Sequence, residues 1–105
     1  MPAYALLFGP KRQSETCYLS PPFDFISALA VGETIVTQVV TCVVYSGIDA
    51  NPSALISGQA TVQNGTQVQQ LITGGIDGVI YDLKCLITTS LGQTLELTGL
   101  LAVLV

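Results

Sequence analysis

Residues 80–89 read IYDLKCLITT, and the alternation within them decides the fold. Tyr81, Leu83, Cys85 and Ile87 fall on one side of an extended chain, with Asp82, Lys84 and Leu86 on the other. Side chains of a strand alternate between faces, so the stretch predicts a strand with one face in a core and one largely in solvent. Cys85 is thereby expected to point inward. The same residue chemistry runs through the chain: thirty residues are β-branched (11 Val, 8 Ile, 11 Thr), a type that packs well on a pleated surface and loses rotamer freedom in a helix.

Working outward, turn signals recur at roughly eight to twelve residues, the rhythm of a sandwich or barrel. They include Gly9-Pro10, Pro21-Pro22, Ser46-Gly47, Asn51-Pro52, Asn64-Gly65, Gly74-Gly75 and Asp77-Gly78. Between them the predicted strands cover residues 15–19, 34–45, 54–56, 60–63, 66–72, 80–89 and 93–105. Asn64-Gly65 is the strongest local signal, because a type I′ turn needs positive φ at both central residues and these two types tolerate it. In residues 34–45 both alternating sets are apolar: Val36, Val40, Cys42 and Val44 on one side, Ile35, Val39, Val43 and Tyr45 on the other. Such a strand is expected to be buried on both sides or covered by a partner. The C-terminal run ends Leu100, Leu101, Ala102, Val103, Leu104, Val105, an apolar edge that invites pairing with another chain. One helical turn is expected in residues 25–30, with Asp24 capping it. Residues 1–13 read as an arm preceding a sandwich domain of residues 14–105, with Tyr4, Leu6, Leu7, Phe8, Lys11 and Arg12 as its contact candidates. Leu100, Leu101, Val103 and Val105 are their counterparts at the other end.

Composition narrows the function. Of 105 residues, 50% are hydrophobic and only 10% charged, where globular domains carry about 25%. The longest charge-free interval, residues 50–76, is interrupted by Asn51, Pro52, Ser53, Gln59, Asn64, Gly65, Gln67 and Gln69, so it holds no run of about 18 apolar residues and no transmembrane helix is expected. Lys11 and Arg12 follow the apolar start rather than precede it, which is the reverse of a secretory signal. A surface with so little charge is expected to be covered by other subunits, because obligate interfaces are depleted in charge. Three Lys and Arg against seven Asp and Glu, a net charge of -4, cannot build a phosphate-binding face, so no nucleic-acid partner is expected.

The candidate chemistry is thin. The chain has no His, which removes the commonest base and metal ligand, and no cofactor or metal is expected. Asp24, Glu33, Asp49, Asp77 and Asp82 sit beside turns or on solvent positions and read as solvated surface, not as an acid/base pair. Gly74, Gly75 and Gly78 lack the Lys-Ser/Thr ending and following helix of a phosphate loop, and so read as a turn. The spacing of Cys17, Cys42 and Cys85 fits no zinc pattern. Cys42 and Cys85 lie on the second long strand and the penultimate one, where an immunoglobulin sandwich carries its inter-sheet bridge; two buried thiols are the default expectation and a disulfide across the core the alternative. Tyr81, preceded by Gly75 and Gly78, matches the corner in which a sandwich tyrosine sends its hydroxyl back to upstream backbone, a structural role.

Two stretches carry a family likeness. ETCYLSPPFDFISALAVGETI resembles the start of small immunoglobulin-like virion proteins of tailed bacteriophages, at Phe23, Asp24, Phe25, Gly32, Thr34 and Ile35. LITGGIDGVIYDLKCLITTSLGQTLEL resembles their second half, at Gly74, Gly75, Gly78, Tyr81, Cys85, Thr88, Thr89, Gly92 and Glu96. The resemblance implies an all-β, immunoglobulin-like (fibronectin III-like) antiparallel β-sandwich of about seven strands. It further implies a non-enzymatic virion adaptor in the tail or neck, made in the host cytoplasm and present in several copies. The implied partners are other virion proteins, namely tail, neck or fibre subunits, with no membrane partner. A capsid decoration protein is the alternative. A carbohydrate-binding or enzymatic domain would need an aromatic platform or polar pocket, for which four Tyr and three Phe are little material.

Overall fold

The alternation of residues 80–89 is realised in strand β9 (Ile80–Thr89), the centre of the larger sheet in a computed structural model that describes residues 6–105. Tyr81, Leu83, Cys85 and Ile87 are all fully buried, so the core face runs unbroken along the strand. Its antiparallel neighbours are β5 (Ile35–Ser46) and β10 (Thr94–Leu104), and the sheet continues to β1 (Leu6–Leu7) and β2 (Lys11–Arg12), which both pair in parallel with β10. The second layer consists of two small sheets. One pairs β3 (Thr16–Tyr18) with β8 (Leu71–Thr73), and the other has β7 (Gln67–Gln69) between β4 (Phe23–Asp24) and β6 (Thr61–Gln63). Phe23, Phe25, Val68, Ile72 and Leu55 of this layer meet Val40, Leu83, Cys85, Ile87, Leu101 and Val103 of the first in one core. The chain is thus an all-β sandwich, with two 3-10 turns as its helical content among the described residues.

Local chemistry accounts for where strands begin and break. Asn64 and Gly65 both take positive φ, 56° and 72°, as the I′ turn requires, but pairing resumes at Gln63 and Gln67. The spare residue, Thr66, uses its carbonyl to accept the Phe25 N–H at 2.9 Å, which ties the hairpin to the neighbouring strand. The strand expected over residues 66–72 divides at Gln70, whose buried side chain donates Nε2 to the carbonyls of Ser57, Gly58 and Leu71. Residues 54–56 do not form a strand. Pro52 fixes the φ of a helical first position, and Pro52–Leu55 closes as a 3-10 turn that sinks Leu55 into the core. The turn expected near Phe25 is the 3-10 segment Ile26–Ala28, where Asp24 Oδ1 accepts the Ile26 N–H at 3.0 Å.

Strand β5 departs from the two-sided expectation in an instructive way. A bulge between Ile35 and Thr37 shifts the register, so Ile35 is buried while Val36 is 59% exposed. Beyond it Val40 and Cys42 face the core, and Val39, Val43 and Tyr45 face outward with no layer of the described residues over them. Cys42 and Cys85 consequently belong to adjacent strands of one sheet, in register with Leu83 and Val40 respectively, and do not confront one another across the sandwich. All three cysteines are free.

Residues 6–13 run along the domain. Leu6 and Leu7 are in register with Gly99 and Leu100, Lys11 and Arg12 with Val103 and Leu104, and the Gln13 N–H reaches the Leu104 carbonyl at 2.6 Å. The C-terminal edge expected to be open is therefore closed along its last residues by the chain's own start. Pairing satisfies backbone groups that an edge strand would leave to another molecule.

Candidate interaction surface

The outward face of β5, β9 and β10 is built in registered rows. Across the three strands these are Val43, Asp82 and Leu100; Thr41, Lys84 and Thr98; Val39, Leu86 and Glu96; Thr37, Thr88 and Thr94. Val39 and Val43 are each 56% exposed, Tyr45 63% and Leu86 41%, so the face is an apolar and threonine plateau in contact with solvent. Its charges number three. Lys84 Nζ lies 3.8 Å from Glu96 Oε2, a surface pair that contributes little, and Asp82 Oδ1 is shielded with no hydrogen-bond partner. An antiparallel sheet with one wet face normally alternates apolar-in with polar-out, and this one does so only partly.

The corner at Tyr81 is rigid and polar. Its hydroxyl donates to Asp49 Oδ2 at 2.6 Å and accepts the Ile76 N–H at 3.0 Å. Burial, and then the hydrogen bond to Asp49, push the phenol up to about 12, so it stays a neutral donor. Asp49 is in turn held below its ordinary carboxylate range by the Tyr81 hydroxyl and the Asn51 N–H. Gly75 lies against Val103, and the Gly78 N–H donates to the Val103 carbonyl at 2.9 Å, which moors this corner to β10.

Two ionic side chains read as surface from sequence lie inside. Glu33 is 3% exposed, accepting the Ala30 N–H at 2.8 Å with one oxygen and the Thr89 hydroxyl with the other. Lys11 is 1% exposed; its Nζ donates to the carbonyls of Gly74 at 2.6 Å and Arg12 at 2.8 Å, and burial lowers its pKa. No sequence signal distinguished Lys11 from Arg12. Only the pairing of β2 with β10, which turns alternate residues inward beside Val103, does so.

The contact candidates therefore separate. Tyr4 lies outside the described residues. Phe8, Lys11, Leu101 and Val103 are interior and are corrected from surface to core. Leu6 is held by backbone pairing to Gly99, and Leu100 is half-buried in the outer rows. Leu7 and Val105, each 77% exposed, and Arg12 remain at the surface. Glu33, Asp49 and Asp82 are likewise corrected from solvated acids to side chains engaged in or shielded by the fold. Among the described residues no group of three His, Cys, Asp or Glu converges as metal ligands.

The thiols provide a direct check on this layout. Burial pushes both Cys42, with Asp49 and Asp82 adding to the effect, and Cys85 up to about 12, whereas Cys17 is partly accessible. Reactivity requires accessible thiolate. A disulfide reagent at neutral pH is expected to titrate only Cys17 in the native protein and all three thiols after denaturation. Rapid reaction of a second thiol in the folded state would contradict the packing of β5 on β9.

A family model described as Podophage GP4 fiber-tail adaptor protein gp77 matches residues 14–102. No curated protein and no solved structure matches the chain.

Proposed function

The chain belongs to the podophage fiber-tail adaptor family, and from that premise we propose that it is a non-enzymatic virion part that fastens a tail fibre to the tail or head-tail joint. Several copies act in each particle, after synthesis in the host cytoplasm, with virion proteins as their partners and neither nucleic acid nor membrane. The observation that carries this reading is the plateau of β5, β9 and β10. Val39, Val43, Tyr45 and Leu86 lie exposed on it among threonines, with one weak ion pair. Interface cores combine aromatic and apolar area with few charges, and a neighbouring subunit would complete that face as a second covering layer.

The test places charge on the plateau where the fold tolerates it. Leu86→Arg stands beside Glu96 in register and Leu100→Arg beside Asp82, so each new cation meets an existing anion across the strands. Phage carrying both substitutions is expected to yield particles that have tails and lack fibres, while the purified variant keeps its β-sheet circular dichroism. Particles that retain a full set of fibres would overturn the assignment. Labelled protein spread over the capsid shell would establish the head decoration role instead.

A further inference from the structure

We propose that β5 is a strand-pairing edge whose occupant is β5 of a second copy of this chain, antiparallel and centred on Thr41. This does not depend on the adaptor reading. Strand β5 has twelve residues and pairs on one side only, with β9. Backbone bonds from other segments reach only its start, where the Ile35 N–H donates to Gly65 and the Thr34 carbonyl accepts from Ser90. Among the described residues nothing hydrogen-bonds to the backbone of its outer side beyond that point. At about 3.4 Å per residue the stretch from Thr37 to Val44 presents roughly 27 Å of edge.

Proteins blunt such edges with short strands, Lys, Pro, bulges or a covering segment. The other edges here follow that rule: β3 and β6 have three residues each, and β10 is lined by β1 and β2. Strand β5, IVTQVVTCVVYS, contains no Lys, Arg, Asp, Glu or Pro. Its irregularities, between Ile35 and Thr37 and between Val44 and Ser46, bracket a regular stretch from Thr37 to Val44.

The strand's own pattern favours a second copy as the occupant. Antiparallel residues directly opposite share a face, so a two-fold axis at Thr41 sets Val39 against Val43 of the second copy on the outward side. On the core side Val40 meets Cys42. Every contact is uncharged, and β-branched or aromatic cross-strand pairs stabilise a sheet. For a chain of net charge -4, this is an edge along which two acidic copies meet without like-charge contact. Pairing would join two plateaus into one continuous surface. The area in strand pairing alone is below that of a standard stable interface, so association is expected at high protein concentration or within an assembly.

Cysteine placement reads the register. In a Cys17→Ser background, Thr41→Cys brings two thiols face to face at the axis, within the Cα separation of up to about 7 Å that a disulfide allows. Val43→Cys leaves them offset by four residues, about 14 Å along the strand. Diamide, which takes up the two thiol hydrogens, is expected to crosslink the Thr41→Cys protein about tenfold faster than the Val43→Cys protein, given that distance limit. Equal rates, or a Thr41→Cys protein that stays monomeric, would overturn the proposal; the latter is also the outcome if the edge accepts a strand of a different protein. In sedimentation at high concentration, Thr41→Lys is expected to dissociate the dimer by placing two cations at the axis. Val39→Lys combined with Val43→Glu is expected to retain it, since each new cation faces a new anion of the other copy. Both residues are exposed, so folding is not at issue.

Discussion

Gly99→Ala is expected to destabilise the domain by about 3 kcal/mol, as much as truncating a buried phenylalanine. A Cβ on Gly99 would collide with Phe8 Cε2 and sit 2.6 Å from Cζ, far inside contact distance. The Phe8 ring cannot simply turn aside, because it is 6% exposed and packs edge-on against Phe23 with centroids 5.3 Å apart. The Phe8 N–H also donates to the Leu100 carbonyl at 3.0 Å. Adding one methyl group to β10 therefore evicts the side chain that anchors the N-terminal segment. The substitution and Phe8→Ala remove the same contact, so the pair should be strongly non-additive in urea denaturation. If the double variant loses the sum of the two single effects, Gly99 and Phe8 are not the coupled pair described here.

Tyr81→Phe is the second large effect, about 1–2 kcal/mol, because it leaves the Ile76 N–H and Asp49 Oδ2 without their hydroxyl partner at a fully buried ring. It should also change the pH response. Asp49 has a depressed carboxyl pKa in the folded state, first through the Tyr81 hydroxyl, then through the Asn51 N–H. A depressed carboxylate contributes stability that is present above the unfolded pKa and is lost as pH falls through the folded one. The wild-type urea midpoint is therefore expected to fall on acidification through and below the ordinary carboxylate range, and Tyr81→Phe to make that decline shallower. An unchanged acid limb would show that the hydroxyl does not hold the carboxylate.

These two sites differ in how far sequence could expose them. Tyr81 was legible, since a tyrosine opening an alternating strand after Gly75 and Gly78 marks a sandwich corner, although its partner Asp49 lies 32 positions away and carries no local mark. Gly99 was not legible at all. It reads as one glycine inside an apolar strand, and its meaning comes from a ring brought to it by residues more than ninety positions earlier in the chain. The same applies to Lys11, whose buried ammonium is held by the carbonyl of Gly74. Conversely, Cys42 and Cys85 suggested a cross-core relation that the register removed by making their strands neighbours.

The sequence by itself determined the β class, the core face of residues 80–89, the positive-φ pair at Asn64 and Gly65, and an apolar excess too large for the protomer's own core. Each is set within a few residues, by side-chain alternation, by the steric limits on φ, or by composition. Tertiary structure alone decided which edges are closed and which stay open. It laid β1 and β2 along β10, buried Lys11, Glu33 and Phe8, and left the outward side of β5 and the plateau uncovered by the described residues. Periodicity fixes the face on which a side chain stands, whereas the strand that comes alongside depends on closing the whole sandwich around one core.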